Sequence, residues 1–345
     1  MLARLTRLAL AAAIGALASP AGAGPALLFD AADRQVLYAE DADNQWHPAS
    51  LTKIMTAYVT FEALKEGKLT MASKIGCSEL ANSQSPSKIG LPVGAEMTVE
   101  KALQALIVKS ANDVAVMLAE AISGSQEAFV DRMNATAARL GMTRTKFANA
   151  NGLPAPEQVT TARDLAKLAA AVFRDYPEHA QLWSMHEVRL GKIRLHSHNG
   201  LLANYAGADG MKTGFICDSG FNIVASATRD GRKLVAVVLG EATGGERTVR
   251  AANLLEHGFH TLKWKALFAP QTLDTMPIPE DARGPMTMRQ AVVSYECGTG
   301  GRRAVAKVRK KKGPGQVVSD KAGKQPKAPA KKAKSAQKGS AATQQ

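Results

Sequence analysis

The sequence predicts an α+β domain: one antiparallel sheet whose strands are separated along the chain by an inserted block of helices. Three observations predict it. Two strand-like runs, Ala26-Leu27-Leu28-Phe29-Asp30 and Val36-Leu37-Tyr38-Ala39, lie near the start. The middle of the chain, about 100–173, repeats apolar residues at helical spacing. Two apolar runs, 221–228 and 233–239, then flank Arg229-Asp230-Gly231-Arg232 and lead into a helical stretch, 246–262. First and last strands therefore belong to one sheet with helices flanking it. The crevice between sheet and helical block is the natural pocket.

The elements follow in order. The polar link Ala32-Asp33-Arg34-Gln35 makes the first two strands a hairpin. After Pro48, the residues Leu51, Ile54, Met55, Tyr58, Val59 and Leu64 mark an amphipathic helix. Residues 66–100 are loop-rich, with a turn at Gly90-Leu91-Pro92-Val93-Gly94. Helices follow over 100–108, with Leu103, Leu106 and Ile107 inward, over 114–122, and over 127–140, the last stopped by Gly141. Thr161-x-x-Asp164 reads as a capping box before Leu165, Leu168, Val172 and Phe173. Residues 187–195 read as a short strand pair about Gly191-Lys192.

The ends differ from the body. Arg4 and Arg7, the apolar run Leu8 to Leu17 and the small residues Ala21-Gly22-Ala23 make 1–23 a secretory signal. The formal net charge is +14, yet 301–345 hold +13 of it and the signal +2, which leaves 24–300 at −1. The basic character thus belongs to a Lys-rich tail whose composition indicates disorder. Between body and tail, 263–300 read as a short extension broken by Pro270, Pro277, Pro279 and Pro285, with a possible strand at Val292-Val293-Ser294-Tyr295. The expected division is a signal at 1–23, a domain at 24–262, the extension at 263–300 and the tail at 301–345.

Three cysteines, Cys77, Cys217 and Cys297, allow one disulfide at most and match no zinc spacing. His196/His198 and His257/His260 offer pairs of ligands without a third. No metal and no cofactor is expected.

The chemistry is carried by Ser50-Leu51-Thr52-Lys53. At this spacing a hydroxyl and an amine share one face of a helix, one turn apart. A serine needs a base to become a nucleophile, and a desolvated lysine can be that base. Ser85/Lys88 and Ser335/Lys338 repeat the pattern, but one sits in a polar stretch with a proline and the other in the tail. The plain alternative for Ser50 is a helix cap. Ser110-Ala111-Asn112 falls at a break between helices and can set a hydroxyl and an amide over a cleft; its plain alternative is again capping. Lys212-Thr213-Gly214 stands just before strand-like sequence, where its plain reading is an exposed turn. Average residue usage gives about 0.1 chance occurrences of that tripeptide in such a chain.

In this order the three motifs resemble those of the penicillin-recognising serine enzymes, the penicillin-binding proteins and serine β-lactamases. The flanks look like those of low-molecular-mass D-alanyl-D-alanine carboxypeptidases: His47-Pro48-Ala49-Ser50-Leu51-Thr52-Lys53-Ile54-Met55-Thr56-Ala57, Ser110-Ala111-Asn112-Asp113, Asn199-Gly200-Leu201-Leu202 and Asp209-Gly210-Met211-Lys212-Thr213-Gly214-Phe215. Leu140-Gly141-Met142, Phe147-Ala148-Asn149 and Gly152-Leu153 agree, and the resemblance covers about 25–262. It implies a β-lactamase/transpeptidase-like fold. It implies that Ser50 attacks the carbonyl between the terminal D-alanines of a peptidoglycan stem peptide, with Lys53 as base. Ser110 and Asn112 would line the opposite wall, relaying a proton and holding the substrate amide. Lys212 would add positive potential and bond to Ser110. Thr213 and Arg247 would hold the terminal carboxylate, and Gly214 would be a further substrate-binding residue. The N–H groups of Ser50 and Phe215 would form the oxyanion hole.

The resemblance further implies inhibition by β-lactams and a place in peptidoglycan and cell-wall biogenesis. A D,D-endopeptidase cutting cross-links and a serine β-lactamase are the rival enzymes. Ala111 inside the second motif, and the lack of a glutamate motif in 150–170, weaken the lactamase reading. A wall-binding protein with an inert Ser50 is the non-enzyme rival. The signal places the protein in the periplasm, soluble or peripherally attached. The tail lacks the aromatic and leucine face of an interfacial anchor and suits loose contact with anionic envelope polymers. Export argues against nucleic acid. His198 stands where some relatives have arginine.

Overall fold

The computed structural model describes residues 24–265, 271–292 and 297. The expected signal, the tail, and most of the expected strand at 292–295 lie outside the described residues; Val292 is described and is not in a strand.

The chain opens with β1 (Ala26–Asp30) and β2 (Val36–Glu40), then a single 3-10 turn, Ala49–Leu51, and α1 (Thr52–Lys65). β3 (Lys74–Gly76), α2 (Glu79–Ser83) and β4 (Glu96–Thr98) occupy the stretch read as loop. Next come α3 (Val99–Gln104), a π-helical turn over Ala105–Lys109, α4 (Asn112–Ser123), α5 (Gln126–Arg139) and α6 (Ala162–Asp175). After α7 (Ala180–Trp183), the hairpin β5 (Glu187–Leu190) and β6 (Ile193–His196), and α8 (Leu201–Asn204), the chain makes β7 (Ala208–Ile216), β8 (Gly220–Arg229) and β9 (Arg232–Glu241). The last helix, α9, spans Gly244–Lys265 and so runs past the division expected at 262. Ser78, Thr98, Ser125 and Thr161 cap their helices, each accepting a hydrogen bond from the backbone N–H three residues on. At Thr161 only half of the expected box forms. The Asp164 carboxylate turns away to the Arg144 N–H and the Thr145 hydroxyl.

The principal sheet has the order β2-β1-β9-β8-β7, antiparallel throughout. β1 pairs with β9 (Leu27 opposite Val237), so strands about 200 residues apart are neighbours, as the sequence predicts. Both faces of the sheet are covered. Leu27, Phe29, Val235, Val237 and Leu239 face the helical block, whereas Ala26, Leu28, Leu234, Ala236 and Val238 face α9. Burial on both faces explains why these strands read as continuous apolar runs. Gly258 lets α9 approach closely: a Cβ there would sit 2.6 Å from Leu234 and 2.7 Å from Leu28.

One expectation changes. The helix read as amphipathic, α1, is buried on every side from Thr52 to Phe61. Its polar positions escape the usual penalty where they find partners inside. Thr56 donates to the Ala150 carbonyl (2.6 Å), and Thr60 to that of Thr56 (2.8 Å). A helix enclosed by α4, α5, α6 and the π-helical turn is a rigid mount for whatever stands at its N-terminus.

The C-terminal segment 271–292 runs back over the domain. Val36 N–H donates to the Gln271 carbonyl, Leu273 N–H to that of Arg34, and Leu273 is fully buried. Arg163, itself buried, bridges Asp43 (2.6 Å) and the carbonyl of Pro277 (2.9 Å).

Candidate active site

The 3-10 turn holding Ser50 is gripped from three sides. Ala49 adopts a left-handed backbone (φ 49°). Gly152 lies against its carbonyl so closely that any Cβ would collide with Ala49 O. From the sheet side, a Cβ on Gly214 would lie 3.0 Å from both Pro48 O and Ser50 N. Asn222 on β8 donates to His47 O (3.1 Å) and accepts from Gly240 N–H (2.9 Å). Two glycines and one amide thus press the nucleophile turn between helical block and sheet.

Lys53 is completely buried one turn into α1. Its Nζ lies 3.0 Å from Ser50 Oγ, 2.6 Å from Asn112 Oδ1, and within hydrogen-bond reach of Asn151 O. An uncharged amine has two hydrogens and one lone pair. The two carbonyl oxygens take the hydrogens, which leaves the lone pair for the Ser50 hydroxyl. Burial, then repulsion from Lys212, hold the Lys53 ammonium well below its usual range; Asp113 opposes them. Burial and Lys212 outweigh Asp113, and the balance favours the free base.

The opposite wall is built by an irregularity. The π-helical turn Ala105–Lys109 ends at Ser110, which has φ 62°. That left-handed residue swings the chain into α4 and leaves Ser110 buried, its hydroxyl without a hydrogen-bond partner among the described residues. Asn112 spends its amide internally: Oδ1 accepts a hydrogen bond from Lys53 Nζ and Nδ2 donates to Ser85 O (2.8 Å). Asp113, fully buried, draws the rim loop inward through Ile89 N–H and Gly90 N–H (2.8 Å).

Lys212-Thr213-Gly214 is not a turn before a strand but the middle of β7, paired with Val224, Ile223 and Asn222 of β8. Glycines at 210 and 214 hide the strand from a propensity reading. β7 is the edge of the sheet, so one side of its backbone is left to the cleft. Lys212 is buried and donates to Thr213 O (3.0 Å), not to Ser110 as expected. Burial and the neighbouring Arg247 bring its pKa down to about 7. Arg247, at the start of α9, donates to His198 O (3.3 Å), and its Nε has no hydrogen-bond partner among the described residues; burial lowers its pKa to about 10.

Between these walls lies a cleft of about 660 Å³. Ser50, Ser110, Asn112, Thr213, Gly214, Phe215 and Arg247 all line it, while Lys53 and Lys212 stand buried behind. The sequence reading did not include Lys109 and His198 in the site, yet both line the cleft. Burial first, then Lys212, Lys109 and Arg247, depress His198 to about 4, so it is neutral at pH 7. Asn151, Gly152 and Asn222 were also outside the predicted site. They act through backbone and close approach, which leave no motif; the resemblance at Gly152-Leu153 was the one available hint. Among the described residues lining the cleft, none is Asp or Glu. Among the described residues no cluster of metal-ligating side chains occurs. The arrangement is a serine with an uncharged amine, facing an anion-binding wall.

Comparison with known proteins places the chain in a family. A family described as D-alanyl-D-alanine carboxypeptidase matches residues 14–243. The chain is 38% identical over 240 residues to the D-alanyl-D-alanine carboxypeptidase DacC of Escherichia coli, covering 68% of this chain and 60% of the relative. It is 38% identical over 238 residues to DacA of Haemophilus influenzae, covering 68% and 61%. The chain thus spans about three fifths of the length of these relatives. Among solved structures, penicillin-binding protein 5 from Haemophilus influenzae superposes with a TM-score of 0.67 at 37% identity, covering 69% of this chain and 71% of that one. Penicillin-binding protein D2 from Listeria monocytogenes in its ampicillin-bound form gives 0.61 at 30% identity, covering 69% and 97%. The β-lactamase/transpeptidase-like α+β architecture is the one these enzymes share.

Proposed function

This chain belongs to the D-alanyl-D-alanine carboxypeptidase family, and from that premise we propose that it removes the terminal D-alanine of peptidoglycan stem pentapeptides through an acyl-enzyme on Ser50. The observation that carries the proposal is the Lys53 amine, 3.0 Å from Ser50 Oγ with its two N–H groups already committed.

Lys53 takes the hydroxyl proton as Ser50 Oγ adds to the carbonyl carbon between the two D-alanines. The Ser50 and Phe215 N–H groups receive the resulting oxyanion, with β7 supplying the second donor. The C–N bond then breaks, and Ser110, with Lys212 behind it, relays a proton to the departing D-alanine amine. Asn112 positions Lys53 and lines the substrate's path. Thr213 and Arg247 hold the terminal carboxylate; the unpartnered Arg247 Nε supports that role. Gly214 keeps β7 pressed to the Ser50 turn. Water then cleaves the ester, with Lys53 again as base, and Ser50 regains its proton.

β-Lactams are proposed inhibitors. No described residue lining the cleft is a carboxylate of the kind that class A β-lactamases add for deacylation, which disfavours the lactamase reading. The protein is assigned to the periplasm, exported by 1–23. No helix among the described residues is long and apolar enough to cross a membrane. The peptidase domain is taken as 24–262, with 263–300 a C-terminal extension and 301–345 a basic tether to anionic envelope polymers.

The test is release of free D-alanine from a pentapeptide by purified protein, with mass analysis after penicillin exposure. Expected are D-alanine and one adduct on Ser50. Folded protein giving neither refutes the proposal and leaves the inert wall binder. Cleavage of cross-linked muropeptides without D-alanine release assigns the endopeptidase instead.

A further inference from the structure

We propose that the Cys217–Cys297 disulfide and the segment 286–292 form a positioning clamp that holds the cleft's edge strand and the Ser50 turn in register for acylation. The inference rests on the reading of Ser50 as the acylated nucleophile.

Three consecutive residues after β7 each make a different attachment. Cys217 directly follows Ile216, and both Phe215 and Ile216 line the cleft. Cys217 is joined to Cys297, 80 residues away. Asp218 accepts from the Thr287 hydroxyl (2.9 Å) and from two Arg289 nitrogens (3.0 and 2.8 Å); its carbonyl accepts from Met288 N–H (2.8 Å). The Arg289 partnership lowers the Asp218 pKa, so the carboxylate stays charged. Ser219 is fully buried, and its carbonyl accepts from the Trp46 indole N–H (2.9 Å). Trp46 is itself buried and lies four residues before Ser50.

This turn therefore touches both halves of the site. On one side it continues the strand carrying Thr213 and Phe215. On the other it fixes the approach to the nucleophile. β7 has a strand partner on one side only, so its C-terminal end lacks the second ladder that steadies an interior strand. The C-terminal segment supplies the missing restraint, and it is seated: Met288 is 7% exposed and Val292 0%. Cys77, the remaining thiol, is buried elsewhere and takes no part. An oxidising compartment, which the export reading requires, keeps such a link closed.

The test compares wild type, Cys217→Ser/Cys297→Ser and Arg289→Ala by amide hydrogen exchange and by the second-order rate of penicillin acylation. Dithiothreitol is a parallel arm: one dithiol gives two electrons and two protons to the S–S bond and closes to its own cyclic disulfide. Leu273→Ala is the control, because it cuts into the same C-terminal segment at its far end. Small misplacements of reacting groups are costly, so we expect acylation slower by about five- to tenfold. Amides of 213–221 and 46–51 should exchange faster in step. Leu273→Ala should lower the melting temperature and move neither readout. Unchanged exchange in 213–221 overturns the clamp. So does faster exchange with an unaltered acylation rate, or a control that reproduces both changes. A wild type that penicillin does not acylate refutes the nucleophile reading instead, and exchange in 213–221 then decides the clamp alone.

Discussion

Replacing Lys212 with methionine should stabilise the protein at neutral pH while abolishing its activity. Lys212 is 3% exposed, and burial beside Arg247 brings its pKa from 10.5 to about 7. At roughly 1.4 kcal/mol per pH unit, keeping the charged form in the fold costs about 5 kcal/mol. Methionine fills a similar volume without that charge. It forfeits the hydrogen bond to Thr213 O, worth about 1 kcal/mol. The net gain at pH 6–7 should be about 2–4 kcal/mol. The sign follows from proton counting. Between pH 7 and 10.5 the unfolded chain holds the lysine proton and the folded chain does not. Wild-type stability therefore rises with pH across that window through this group, and is lowest below pH 7. The advantage of Lys212→Met must shrink as pH climbs from 7 towards 10. Urea unfolding of both proteins at pH 6.5 and 9.5 measures it. Equal stabilisation at both values, or destabilisation at pH 6.5, would refute the picture of a desolvated cation held in place for function.

Other expectations follow from the same geometry. Lys53→Met should slow penicillin acylation by about 10²–10⁴-fold, the usual worth of a general base, as stopped-flow or gel-based labelling would read. In the wild type, acylation should weaken as pH falls, because the depressed Lys53 amine must be unprotonated to act; a rate independent of pH from 9 down to 5 would contradict it. Gly152→Ala should cost at least about 3 kcal/mol in denaturant unfolding. Its φ is +85° and the added methyl would strike Ala49 O, so acylation should fall as well. Removing one partner of the buried Asp43–Arg163 pair, as in Arg163→Leu, should cost about 3–5 kcal/mol by thermal unfolding and leave labelling of the surviving folded protein intact.

Much of the molecule was legible because its signals are local. Apolar strand runs, the Asp230-Gly231 turn and the Thr161 cap each act within a few residues, and the observed elements fall where those cues place them. Chain order alone, strands then helices then strands, implied that β1 meets β9. The misreadings share a cause. α1 reads as one-faced because its threonines are polar in sequence; only the surrounding carbonyls reveal that Thr56 and Thr60 are satisfied inside. Lys212-Thr213-Gly214 reads as a turn because glycine is a poor strand former, although β8 pairs every residue of it.

The sequence by itself determined which chemical groups were present and in what order. A hydroxyl and an amine one helical turn apart stay neighbours in any fold that keeps the helix, so Ser50 and Lys53 needed no coordinates. What only the tertiary structure decided is the state of those groups. Lys53 is held well below its usual pKa because the fold buries it and brings Lys212 near it from far along the chain, while Asn112 and Asn151, 59 and 98 residues away, orient its amine. Likewise the tie from Cys217 to Cys297, and the choice of Cys77 as the thiol left over, depend on which loops the packed sheet brings together. Desolvation and long-range contact are properties of the assembled interior, and no stretch of chain carries them alone.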